Sequence, residues 1–204
     1  MQNPHNDIQS IHSYPEVTGV LLAGGKSRRM GQDKALLEIF GESMFNRTLK
    51  LIQSLFPKVL VAGGRPDLGS PGIPVISDIY PGSALGGLHT GLKSALTDWI
   101  FVVPCDMPYA DINIIKRLLQ NRDNVDAVVP KTSAGYEPVF ALYHKNCLPH
   151  MEAMLQQQQF RIYNFYQRIK IRYLDESQLP PGWEKALHNI NTPEDLERIT
   201  KEIS

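Results

Sequence analysis

Short apolar runs, rich in Val, Ile and Leu, alternate along the chain with longer stretches in which apolar residues recur every three or four positions. The runs read as strands at residues 17–22, 59–62, 74–76, 100–103, 127–129 and 139–143, with 169–173 a further candidate. The helical periodicity predicts helices over 43–56, 85–95, 111–120, 147–157 and 193–203. Strand and helix in alternation imply an α/β, Rossmann-like fold: a mainly parallel sheet flanked by helices. In such a sheet ligands gather outside the carboxyl ends of the strands. Gly- and Pro-rich stretches at 63–72 and 178–182 read as loops.

Length and composition narrow this picture. A chain of 204 residues suits one well-buried core, so residues 17–204 are expected to form a single domain. The polar residues 1–16 read as a disordered tail without the basic and apolar blocks of a secretion signal. Lys+Arg and Asp+Glu are equal at 21 each, so no global field favours nucleic acid or an anionic membrane, and any polyanion must be gripped locally. The apolar runs at 17–23 and 99–104 are far below the roughly 20 residues that span a bilayer. Cys105 and Cys147 read as free thiols of a cytoplasmic protein. No Cys/His set has the spacing of a structural zinc site, and His89, His144 and His150 offer no ligand pattern.

The first strand runs into Leu22-Ala23-Gly24-Gly25-Lys26-Ser27-Arg28-Arg29-Met30-Gly31-Gln32-Asp33-Lys34. Lacking Cβ atoms, Gly24 and Gly25 let the backbone turn its amides inward and approach a phosphate closely. Arg29 and Lys34 would then neutralise the β and γ phosphates, one as a fork and one as a point charge. A P-loop would require glycine where Val20 stands, and the dinucleotide-binding spacing is missing too. The bland alternative is a surface turn with solvated Lys and Arg. A second feature is the apolar run 99–104, which delivers Asp106 to the same sheet edge. Mg2+ favours one or two carboxylates completed by phosphate oxygens and water, so Asp106 can anchor such an ion; the alternative is a helix cap. The strand at 74–76 likewise ends near Asp78, followed by Gly86 and Gly87 in a glycine-rich stretch.

The thirteen-residue loop resembles the signature of the molybdenum cofactor guanylyltransferase family, a nucleotidyltransferase family, and the likeness extends from Val17 to Ile203. The second glycine of the Leu-Ala-Gly-Gly string favours guanine over the related cytidylyltransferases. The resemblance implies transfer of GMP from GTP to the terminal phosphate of molybdenum-molybdopterin, with release of pyrophosphate. It assigns Leu22, Ala23, Gly24, Gly25, Arg29, Lys34, Asp78, Gly86, Gly87 and Asp106 to the nucleotide, with Asp106 the Mg2+ ligand and Arg29, Lys34 and Asp106 catalytic. Asn189, Asn191 and Arg161 fall to the acceptor. The two asparagines lie on alternate residues of an extended segment and so share a face, while Thr192 and Asp195 read as a helix cap. The implied partners are GTP, molybdenum-molybdopterin and proteins of cofactor synthesis and molybdoenzyme maturation. Three positions depart from the family pattern: Ala62 where some relatives have Asn, Ala84 where Pro is usual, and Glu137 where an uncharged polar residue is usual. A cytidylyl- or sugar-nucleotidyltransferase, a non-catalytic cofactor-delivery module and a structural α/β protein remain as alternatives.

Overall fold

The computed structural model describes residues 13–24, 33–190, 192 and 195. In chain order the elements are β1 (Val17–Leu22), β2 (Glu38–Ile39), β3 (Glu42–Ser43), α1 (Met44–Gln53), β4 (Lys58–Ala62), β5 (Val75–Ile76), α2 (Ala84–Ser94), β6 (Trp99–Pro104), α3 (Ile112–Leu119), β7 (Ala127–Thr132), β8 (Gly135–Tyr136), β9 (Ala141–His144), α4 (Leu148–Gln156), β10 (Ile171–Asp175) and α5 (Trp183–Ala186). The main sheet has the order β10-β7-β9-β6-β1-β4-β5, with β8 paired to β7. Most neighbours are parallel, as the alternation of elements implies. β9 runs antiparallel to both β6 and β7, and β8 runs antiparallel to β7. Eight residues separate β7 from β9, whereas a parallel return needs a crossover of a dozen or more.

Side chains alternate between the two faces of the central strands. Val17, Leu21, Phe101 and Val103 join the core beneath α1 and α3, with Phe45, Ile52, Ile115 and Leu118. Val20, Ile100 and Val102 join the core beneath α2 and α4, with Leu88, Leu92, Met151 and Met154. Both faces of the sheet are therefore covered, and the strands read as continuous apolar runs. Side-chain caps start the helices: Ser43 accepts from the Asn46 amide for α1 and Asp111 from the Asn113 amide for α3. A Cβ on Gly19 would lie 2.9 Å from the Phe56 ring, so this mid-strand glycine lets the segment after α1 sit directly on β1. Buried Thr18 shares a 2.6 Å hydrogen bond with Thr97, which bonds onward to the Trp99 carbonyl.

The chain joins this body ahead of Val17, where the sequence reading began the domain. The Tyr14 amide donates to the Leu55 carbonyl, the Pro15 carbonyl accepts from Lys58, and Glu16 pairs with Arg122. The rest of the expected tail, 1–12, and most of the expected helix at 193–203 lie outside the described residues. Thr192 and Asp195 exchange backbone-to-side-chain bonds of 3.0 and 3.2 Å, the reciprocal pattern of a helix cap.

Candidate functional site

Strand register assembles the site. Leu22 at the end of β1 pairs with Ala62 at the end of β4 and with Pro104 at the end of β6, and Ala62 pairs with Ile76 at the end of β5. Four parallel strands thus stop in one row, and the residues that follow each of them meet around a cavity of about 390 Å3. Gly24, Gly63, Asp78 and Asp106 reach it from the four strands, Gly87 from α2, and Asn189 from the C-terminal segment.

Close backbone contact makes the floor. A Cβ on Gly63, whose φ is +129°, would lie 2.4 Å from the Gly24 nitrogen. Only glycine allows this conformation and this approach. Gly63 was not singled out from the sequence, where a Gly-Gly pair after a strand reads as an ordinary loop. Gly87 lines the cavity wall, where a Cβ would stand 3.3 Å from Leu22 and 3.8 Å from Asp78 Oδ1. Gly86 does not. It is absent from the lining, its amide is taken by the Ser83 hydroxyl at 3.0 Å, and a Cβ would fall 1.8 Å from the Tyr80 carbonyl oxygen. Its place is in the packing at the start of α2, against Tyr80, and not in the cavity wall.

The charged groups are tightly linked. Lys34 Nζ lies 3.7 Å from Asp106 Oδ2 and donates to the Ile190 carbonyl at 2.7 Å, while the Ile190 amide donates to the Asp106 carbonyl at 2.9 Å. Burial pushes the Asp106 carboxyl above the usual carboxylate range, against the pull of Lys34. Burial also raises Asp78, whose Oδ1 has no hydrogen-bond partner among the described residues. Asp33 caps the turn Lys34–Leu36 through the Ala35 amide and pairs with Arg65, which also grips Asp67 at 2.6 Å. Those two hydrogen bonds hold the Arg65 guanidinium above its ordinary range. Arg65 lines the cavity but sits in a Gly/Pro-rich loop that gave no sequence signal.

Among the described lining residues, Asp33, Asp78 and Asp106 face Lys34 and Arg65. This wall cannot by itself balance a triphosphate. A triphosphate there would need further positive charge, and Gly24 and Asp33, which flank the basic segment 25–32 outside the described residues, both line the cavity. No cluster of three or more His, Cys, Asp or Glu able to hold a metal exists among the described residues. Asp106 and Asp78 are instead two partly buried carboxyls in one cavity, one with an oxygen lacking a partner among the described residues. That donor set fits a divalent ion completed by phosphate and water.

The remaining expectations divide. Leu22, Ala23, Gly24, Lys34, Asp78, Gly87, Asp106 and Asn189 share the cavity. Gly25, Arg29 and Asn191 lie outside the described residues. Arg161 is exposed at the start of the turn Ile162–Arg168 and is not part of the lining, so the structure does not bring it to the site. Ala62 and Ala84 both line the cavity, whereas Glu137 does not. Both cysteines are free; Cys105 lies beside Asp106 and burial pushes its thiol up to about 12, which keeps it protonated. No helix among the described residues is long and apolar enough to cross a membrane.

Comparison with known proteins adds three findings. The family model of the MobA-like NTP transferase domain matches residues 19–170. A molybdenum cofactor guanylyltransferase from Vibrio atlanticus is 35% identical, covering 89% of this chain and 94% of its own, and one from Vibrio parahaemolyticus is 34% identical, covering 89% and 93%. The crystal structure of molybdopterin-guanine dinucleotide biosynthesis protein A from Archaeoglobus fulgidus shares the fold, with a TM-score of 0.79 at 21% identity over 91% of this chain and 98% of that one.

Proposed function

This chain belongs to the MobA-like NTP transferase family, and from that premise we propose that it transfers GMP from GTP to the terminal phosphate of molybdenum-molybdopterin, forming the guanine dinucleotide and pyrophosphate. One observation supports this reading most: Gly24, Lys34, Asp78, Asp106 and Asn189 surround a single cavity, with Lys34 bonded to both Asp106 and the Ile190 carbonyl. Residues expected at the nucleotide and at the acceptor are thus mechanically joined at one cation.

The chemistry asks little of the protein beyond placement. A phosphate monoester has a second pKa near 6, so the acceptor is ionised at neutral pH and needs no general base. What remains is to hold it in line with the α phosphate and to neutralise the departing pyrophosphate. Gly24 and Gly25 present backbone to the phosphates, and Lys34 and Arg29 supply the charge. Asp106, with Asp78, would hold Mg2+, which supplies electrostatic stabilisation of the phosphate oxygens when bound. Asn189 and Asn191 orient the acceptor. The test is GMP transfer itself: the protein is given GTP, Mg2+ and molybdenum-molybdopterin, and pyrophosphate is measured, with CTP and UTP as competitors. Release from GTP that the other nucleotides do not suppress is expected. Preference for CTP, or no release at all, would overturn the reading.

A further inference from the structure

Beside the nucleotide cavity lies a second hollow of about 330 Å3, and Asn189 is the described residue common to both linings. The walls of the hollow include Thr132 at the end of β7, Glu137 between β8 and β9, Trp183 and Glu184 on α5, and His188 and Asp195. Its electrostatics are opposite to those of a phosphate site. Glu137, Glu184 and Asp195 contribute carboxylates, and no Lys or Arg lines it among the described residues. Two of the acids are otherwise engaged: Glu184 is exposed to water, and Asp195 accepts from the Thr192 amide at 3.0 Å. Glu137 differs. It is partly buried, its carboxyl makes no hydrogen bond or ion pair among the described residues, and burial raises it to about 6. Asn189 Oδ1, at the junction, is buried and likewise without a hydrogen-bond partner among the described residues.

A hollow in which Glu137 and Asn189 hold acceptors without partners among the described residues, beside an indole, suits a flat ring that offers hydrogen-bond donors along one edge. The acceptor of the proposed reaction, on which this inference rests, has such an end. A pterin carries a ring N–H and an exocyclic amine side by side, the same paired-donor geometry by which a guanidinium meets a carboxylate. Its phosphate, at the other end, is repelled by this hollow and favoured toward Lys34 on the far side of Asn189. We propose that Glu137 accepts the paired N–H groups of the acceptor's pterin ring, making it the residue that selects a 2-amino-4-oxo heterocycle. The departure from the family pattern at this position then becomes a specificity contact, because the carboxyl faces the ring and not the phosphate.

The experiment uses two phosphate-free probes, 6-hydroxymethylpterin and its 2-oxo counterpart 6-hydroxymethyllumazine, bound to the whole protein without nucleotide and followed by ligand fluorescence. The second probe replaces one of the two donors by an acceptor. Wild type is expected to favour the pterin by roughly ten- to a hundredfold, as for a charge-assisted hydrogen bond. In Glu137→Gln that ratio should collapse toward one, because the amide can turn either end to the ring, while GTP affinity and melting behaviour show the variant folded. Equal binding of both probes by wild type, failure to bind either, or a ratio that survives in Glu137→Gln would each overturn the inference. Loss of the proposed function is read separately, as wild type that binds no GTP and transfers no GMP.

Discussion

Glu137 and Asp106 are both carboxyls raised by burial, yet they make different predictions because Asp106 has a cation beside it and Glu137 has none among the described residues. For Glu137 the folded value is about 6 against an ordinary 4.5. The folded state therefore keeps a proton that the unfolded chain has already released between those values, and stability falls as pH rises through that window. Above it the cost is complete, about 1 kcal/mol once its remaining contact with solvent is allowed for. Glu137→Gln should accordingly be more stable than wild type by about 1 kcal/mol at pH 8, with the advantage gone by pH 4.5, as denaturant titrations at the two pH values would show. A gain that is independent of pH would disprove the assignment. Asp106 pairs with Lys34 and shares the cavity with Asp78, and under the proposed function its charge serves the ligand rather than the fold. Asp106→Asn should lower turnover by roughly a hundredfold or more, with a melting temperature within a few degrees of wild type. Unchanged turnover would remove Asp106 from the proposed machinery.

Helix α2 shows why neighbouring residues of one type can have unrelated roles. Gly86 faces the Tyr80 carbonyl at a distance no Cβ tolerates, whereas Gly87 faces Leu22, a flexible side chain, and the cavity. Gly86→Ala should therefore destabilise the protein by roughly 1 to 3 kcal/mol through overpacking. Gly87→Ala should leave the melting temperature nearly unchanged and raise the KM for GTP severalfold; the opposite pattern would return Gly86 to the site. In the sequence both stand in one glycine-rich run, and nothing local separates them. The same limit governs the fold. Apolar runs at 17–22, 59–62 and 100–103 revealed the central strands because both faces of each are buried, and β6 exceeds its expected span by one residue at each end. The direction of β9 was hidden, since periodicity carries no sign and only the short link from β7 decides it. The two-residue strands β2 and β3 and the four-residue α5 are too short to have a period. Asp78 and Asp106 were legible as carboxylates just beyond apolar runs. Arg65 and Gly63 were not, because their importance comes from partners 32 or more residues away, Asp33 and Gly24.

At the scale of the whole molecule, Lys34 is where three distant parts of the chain meet: the loop after β1, Asp106 after β6, and the segment that carries Asn189. Ile190 is fully buried against Ile39 and Met44, so the segment is fixed to the body on one side and to Lys34 on the other. Bound triphosphate should compete for the ammonium that now serves Asp106 and the Ile190 carbonyl. GTP with Mg2+ at a hundredfold excess over Kd should stabilise the protein by about 2.7 kcal/mol, or roughly 5 to 10 °C for a domain of this size. Lys34→Ala alone should have two effects: a lower melting temperature without ligand, because a buried carboxyl loses its cation, and a much smaller rise with GTP. These can be separated in a double variant. Adding Asp106→Asn to Lys34→Ala removes the stranded charge and should recover most of the ligand-free melting temperature, yet it cannot bring back the GTP-dependent rise, because the charge that binds phosphate is still missing. Restoration of both together would mean that Lys34 acts on the nucleotide only by offsetting the Asp106 charge; restoration of neither would mean that the ligand-free loss comes from the lost bond to the Ile190 carbonyl rather than from the stranded carboxyl.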